Sequence, residues 1–101
     1  MESYAQITEM EAVLDAQTEQ LARLNTLLDE MDQDAARYQA LVDYYYSDQR
    51  EQNLAEDEAG TLPQDLKRGV LSEDGIWNLM ESRYDTALRM METALAILKA
   101  R

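Results

Sequence analysis

The 101-residue chain contains no cysteine, no histidine and no phenylalanine, with three glycines and one proline. Without cysteine it has no disulfide framework, no thiolate nucleophile and no cysteine-based zinc finger. Without histidine it lacks the side chain that titrates near neutrality, and triads or metal centres built on imidazole are excluded. Basic residues are scarce as well: nine Lys and Arg stand against 21 Asp and Glu, a formal charge of −12. Long apolar runs are missing, so no membrane span is expected. The opening Met1-Glu2-Ser3-Tyr4 lacks the basic and apolar regions of a secretory signal. Together with the absent cysteines, this favours a reducing, cytoplasmic location.

Hydrophobic residues nevertheless make up 46% of the chain, which places it in the globular range. The charge is uneven. Residues 1–66 hold 16 acids and three bases, whereas residues 67–101 hold five acids and six bases. Such a field repels nucleic acid and anionic lipid, and it attracts basic partners.

The first half carries a heptad pattern. With position a at Ile7, the a and d residues are Ile7, Met10, Leu14, Gln17, Leu21, Leu24, Leu28, Met31, Ala35, Tyr38, Val42 and Tyr45; only Gln17 is neither apolar nor aromatic. The spacing predicts a long amphipathic helix over residues 4–46 with coiled-coil periodicity, capped by Ser3 and favoured by Glu2 near its positive end. At about 1.5 Å per residue it would run roughly 65 Å. Asp32-Gln33-Asp34 is its most polar point and the place for a kink, although the register passes through unshifted.

Residues 47–72 read as short helices and loops. Ser47 is placed to cap a helix that stops near Gly60, with Gly60 as the residue after the cap. Pro63 suits the first turn of a further short helix, ended by Gly69. Leu54, Leu62, Leu66, Val70 and Leu71 supply the apolar contacts of this segment. Ser72 is expected to cap a last helix over residues 73–100, with Glu73 and Asp74 in its first turn and Lys99 and Arg101 near its negative end. Its stripe is Trp77, Met80, Tyr84, Ala87/Leu88, Met91, Ala94/Leu95 and Leu98. The expected architecture is a single all-α domain. It is an elongated antiparallel hairpin or small bundle of two long amphipathic helices joined by a segment with one or two short ones. The surplus stripe of the first helix would suit a homodimer.

Asp29, Glu30, Asp32 and Asp34 lack the glycine and the twelfth-position glutamate of a calcium loop, and Glu56-Asp57-Glu58 has no ligand spacing either. No phosphate-binding glycine loop or nucleophile elbow is present. No metal, cofactor or catalytic residue is therefore assigned, and the protein is expected not to be an enzyme. Tyr44-Tyr45-Tyr46, the basic pair Lys67-Arg68 and the lone Trp77 form the candidate interaction surface, since Tyr and Trp give large contact area at low entropic cost. The bland alternative is an aromatic cluster under the middle segment with Trp77 close by, and an ion pair at Lys67-Arg68.

Tyr44 and Asp48 also fit a Tyr-x-x-x-Asp pattern, which resembles the export signal of small helical-hairpin substrates of type VII secretion. The pattern lies mid-chain, however, and the Trp-x-Gly turn of those proteins is missing. A fuller resemblance rests on the middle of the chain. Tyr44-Tyr45-Tyr46-Ser47-Asp48, then Glu56 to Pro63, then Asp65 to Asp74 leading into Trp77, resemble a bacterial family of small helical proteins, DUF4298. The resemblance implies a bacterial cytosolic protein of unknown function and carries no catalytic or binding residue with it. If the middle segment marks the family, the site would lie around the tyrosines, Lys67-Arg68 and Trp77.

Three functions compete on these grounds. The first is a small adaptor acting through helix packing on another protein. The second is an acidic mimic of nucleic acid that inhibits a basic protein. The third, weaker, is a secreted helical hairpin. Direct binding to nucleic acid or membrane is not expected.

Overall fold

The computed structural model describes residues 2–101, with side chains from Tyr4 onward. The described chain is all α-helical, without a strand: α1 spans Glu2–Gln33, α2 Ala35–Tyr45, α3 Asp48–Glu58 and α4 Gly75–Ala100, with a single 3-10 turn at Gly69–Leu71. It divides into two compact units, Met1–Tyr38 and Gln39–Arg101.

The first unit is dominated by α1. Neither glycine nor proline interrupts it. Its helix-indifferent residues turn back on its own backbone: the hydroxyls of Thr8, Thr18 and Thr26 donate to the carbonyls of Tyr4, Leu14 and Ala22, and Asn25 Nδ2 donates to Leu21. The helix is assigned from Glu2, ahead of the Ser3 expected to cap it; the side chains of Glu2 and Ser3 lie outside the described residues. At the expected kink the helix is interrupted at Asp34. Asp34 N–H donates to Glu30 O, closing α1, and Tyr38 N–H donates to Asp34 O, opening α2, both at 2.9 Å, so the single helix expected over residues 4–46 is divided into two here. Arg37 pairs with Asp34 at 3.4 Å in full solvent, a contact of little energetic weight.

The second unit is organised by two serines and two glycines. Ser47, extended at φ −92°, ψ 157°, ends α2 and starts α3. Its hydroxyl donates to Tyr44 O at 2.6 Å and accepts from Arg50 N–H at 3.1 Å. At the other end of α3, Gly60 takes φ +73°, Gly60 N–H bonds Asp57 O, and Thr61 N–H bonds Glu56 O. This is the Schellman pairing that glycine permits at the residue after the cap.

The segment after Gly60 departs from expectation. Pro63 opens no helix: residues 61–68 are turn and irregular chain, with one turn bond from Leu66 N–H to Pro63 O. Gly69 begins the 3-10 turn rather than ending a helix. The cause is side-chain competition. Arg68 Nη2 takes the Pro63 carbonyl at 2.7 Å, and the Arg68 guanidinium is also drawn to Asp57 of α3.

Helix α4 begins at Gly75, so Glu73 and Asp74 precede its first turn instead of occupying it. Ser72 still serves that end, its hydroxyl accepting from Gly75 N–H at 3.0 Å while donating to Gly69 O at 2.7 Å. The closeness has a steric cost. A β-carbon on Gly75 would sit about 2.5 Å from both Gly69 O and Ser72 Oγ, so only glycine fits.

Ile76, 4% exposed, is the buried centre of this unit. Leu41, Val70 and Leu79 line the same crevice. Both α3 and α4 pack on the 3-10 turn. Leu54, Leu62 and Leu71 are half-buried, whereas Leu66 and Val70, assigned to the same apolar set, are exposed.

Candidate functional site

The three tyrosines end α2 but do not act as one patch. Tyr44 is half-buried and spent on structure: its hydroxyl donates to Asn53 Oδ1 at 2.8 Å, and Asn53 Nδ2 donates onward to Glu56 Oε1 at 2.9 Å. Tyr45 is half-buried too, with its face covered by Arg50, whose Cζ lies 4.8 Å from the ring centroid. Tyr46 meets the Tyr45 ring edge-on at 4.9 Å between centroids and is 67% exposed.

The basic pair is divided in the same way. Arg68 is half-buried, with Nε 3.0 Å from Asp57 Oδ1. Its N–H is not aimed along that contact, so the pairing is ionic rather than an aligned hydrogen bond. Each side chain remains about one-third exposed, which limits its worth to the lower end for ion pairs. Lys67 is exposed and borders the crevice above Ile76, beside Gly69, Val70 and Leu79.

Trp77 stands apart from these groups. It is 45% exposed and lines a shallow groove on α4 with Met80, Glu81, Tyr84 and Asp85. The spacing 77, 80, 81, 84 and 85 puts all five on neighbouring turns of one helix face. Two aromatic rings and a thioether are thus rimmed by two carboxylates. Below them the same stripe stays in solvent at Leu88, Met91, Leu95 and Leu98. Such a surface offers apolar contact with a negative edge.

Arg50 was not legible as a site residue, yet it connects more of this unit than any residue the sequence singled out. Besides covering Tyr45, it donates through Nε to Val70 O at 3.0 Å and through Nη2 to Ser72 O at 3.1 Å. One signal was available: Arg50 is the single base between Arg37 and Lys67, in a stretch with seven acids. A lone cation kept in such a stretch has neighbours to serve.

Among the described residues, no group of three or more carboxylates is placed to hold a metal ion. No helix there is long and apolar enough to cross a membrane. The model of the DUF4298 family, a domain of unknown function, matches residues 7–93. The chain belongs to that family. The match takes in α2, α3, the irregular segment and the Trp77 groove, as well as most of α1 and α4. No curated protein and no solved structure is significantly similar to this DUF4298 chain.

Proposed function

We propose that this DUF4298 protein is a non-catalytic, cytoplasmic protein–protein interaction module whose contact surface is the α4 stripe headed by Trp77. The carrying observation is that Trp77, Tyr84, Met91 and Leu98 lie in solvent along one helix face, with Met91 69% exposed. A row of exposed large side chains at helical spacing fits the helix-in-groove mode of recognition, in which i, i+3, i+4 and i+7 residues act as anchors. Glu81 and Asp85 favour a partner that brings basic residues to the rim. Tyr44, Tyr45 and Arg68 are engaged with Asn53, Arg50 and Asp57 instead, while Tyr46 and Lys67 are exposed.

The test is a tagged pull-down from a bacterial lysate, washed at low and at high salt, with wild type beside a Tyr84→Ser/Met91→Ser variant. A partner retained by wild type at high salt and lost by the variant supports the reading. A partner held only at low salt, and held equally by the variant, favours the acidic-mimic reading, because screening dissolves contacts between exposed charges. The formal charge of −12 is what makes that second reading worth an arm of the experiment.

A further inference from the structure

The stripe of α1 belongs to a different unit and calls for a different occupant. Ile7, Met10, Leu14, Leu21, Leu24 and Met31 are all exposed, and so are Val13 and Leu27 beside them. At about 1.5 Å per residue the 32 residues of α1 run about 48 Å. Within it the stripe from Ile7 to Met31 covers about 36 Å, more than three heptads of a coiled-coil seam.

The charge pattern says what can cover it. Eight acids lie on α1 with one base, Arg23. Six of those acids fall at positions b, c and f of the heptad, away from the seam: Glu2, Glu9, Asp15, Glu19, Asp29 and Glu30. Only Glu11 and Asp32 flank it. When two copies of α1 lie parallel and in register, each g residue meets the e residue five positions on in the other copy. Those meetings are Gln6 with Glu11, Val13 with Thr18, Gln20 with Asn25, and Leu27 with Asp32. None sets like charges together, although the helix as a whole is strongly acidic. The polar groups nearest the seam are already provided for, since Thr18 Oγ1 is bonded to Leu14 O and Asn25 Nδ2 to Leu21 O.

Gln17 decides the orientation. It is the one polar a or d residue of the stripe. In a parallel, in-register pair it faces Gln17 of the second copy, and the two amides can satisfy each other. In an antiparallel pair a d residue faces an a residue, here Ile7, Leu14, Leu21 or Leu28, and the amide would be buried without a partner. A single polar seam residue setting register is the best-attested use of such a group.

We infer that α1 is a self-association element: two copies of this chain pair through the Ile7–Met31 stripe as a parallel, in-register two-stranded coiled coil. This surface is separate from the α4 stripe, so either reading can fail without the other.

Sedimentation equilibrium with the full chain gives the first readout. The expected mass is twice the 11.6 kDa of the monomer, falling to the monomer value for Leu21→Glu, with Tyr84→Ser/Met91→Ser leaving the dimer unchanged. Glutamate is a good helix former at an exposed position, so that variant keeps its helix, which circular dichroism verifies. The second readout uses the absence of native cysteine. Met10→Cys and Leu24→Cys are made singly and oxidised. A parallel, in-register pair brings each thiol within disulfide reach of its counterpart, whose Cα atoms must lie within about 6.8 Å. In any antiparallel pair at least one of the two sites is separated by about 21 Å or more along the axis. Efficient cross-linking of both, with a Leu21→Glu monomer, supports the proposal. A monomeric wild type, a Leu21→Glu variant that stays dimeric, or a dimer in which either cysteine fails to cross-link overturns it.

Discussion

The guanidinium of Arg50 stacks over the ring of Tyr45 at 4.8 Å while its two donating nitrogens reach the carbonyls of Val70, inside the 3-10 turn, and of Ser72, just after it. The end of α2, the start of α3 and the approach to α4 are thereby tied to one side chain. Planarity matters in that arrangement, because a flat fork can stack and donate in two directions together, which an ammonium cannot. The exposure of the two bonds holds their individual worth to ordinary values.

Arg50→Lys is accordingly expected to destabilise the protein by about 1–2 kcal/mol despite conserving charge. Urea denaturation followed by circular dichroism measures it. A midpoint equal to wild type would show that the carbonyls of Val70 and Ser72 are served as well by water.

Gly75→Ala should destabilise by about 1–3 kcal/mol, against the usual gain of about 1 kcal/mol for alanine over glycine in a helix. The new β-carbon meets a backbone oxygen at Gly69 and the Ser72 hydroxyl, and neither is the loose end of a long side chain. Gly69→Ala is the matched control. A β-carbon there meets nothing within 4 Å, and its effect should stay within about 0.5 kcal/mol. Thermal melts of the two variants should separate in opposite senses from what helix propensity alone ranks.

Gly60→Ala tests conformation without contact. Space around Gly60 is open, but its φ of +73° is left-handed. The expected cost is about 1–2 kcal/mol, with Gly60→Asn falling between alanine and wild type, since asparagine tolerates that region better. Equal losses for alanine and asparagine would point to a cause other than the backbone.

Tyr44→Phe and Tyr46→Phe divide the tyrosine run. The first removes the donor to Asn53 and should cost about 0.5–1.5 kcal/mol. The second alters a ring standing mostly in solvent and should leave stability within about 0.5 kcal/mol. If the two melted alike, the Tyr44–Asn53 bond would have no energetic role.

The helices were legible because their determinants are local. The period of Ile7, Met10, Leu14 and their successors, the want of glycine and proline across 1–59, and the hydroxyl of Ser47 are enough to specify helix up to Tyr45, the start of α3 and its stop at Gly60. The break at Asp34 falls at the most polar point of the stripe, Asp32-Gln33-Asp34, where the sequence marks the place for a kink although the heptad register runs on unshifted. Residues 61–74 were not legible. Pro63 and Gly69 carry the right local signals for a short helix, but Arg68, Arg50 and Ser72 claim the carbonyls of Pro63, Val70, Ser72 and Gly69 across as many as 22 positions.

The candidate surface divided along the same line. Trp77 could be placed on a helix face from spacing alone, and it lies there in solvent. That Tyr44 and Tyr45 would be spent on Asn53 and Arg50, and Arg68 on Asp57, could not be read, because which polar group a half-buried side chain finds depends on what the fold brings beside it. The sequence by itself determined the helical periods, the caps at both ends of α3 and the acidic charge, the first two being properties of residues within a turn or two of one another. Only the tertiary structure decided which of the aromatic and basic residues are occupied and which remain presented, because that depends on contacts the turns create.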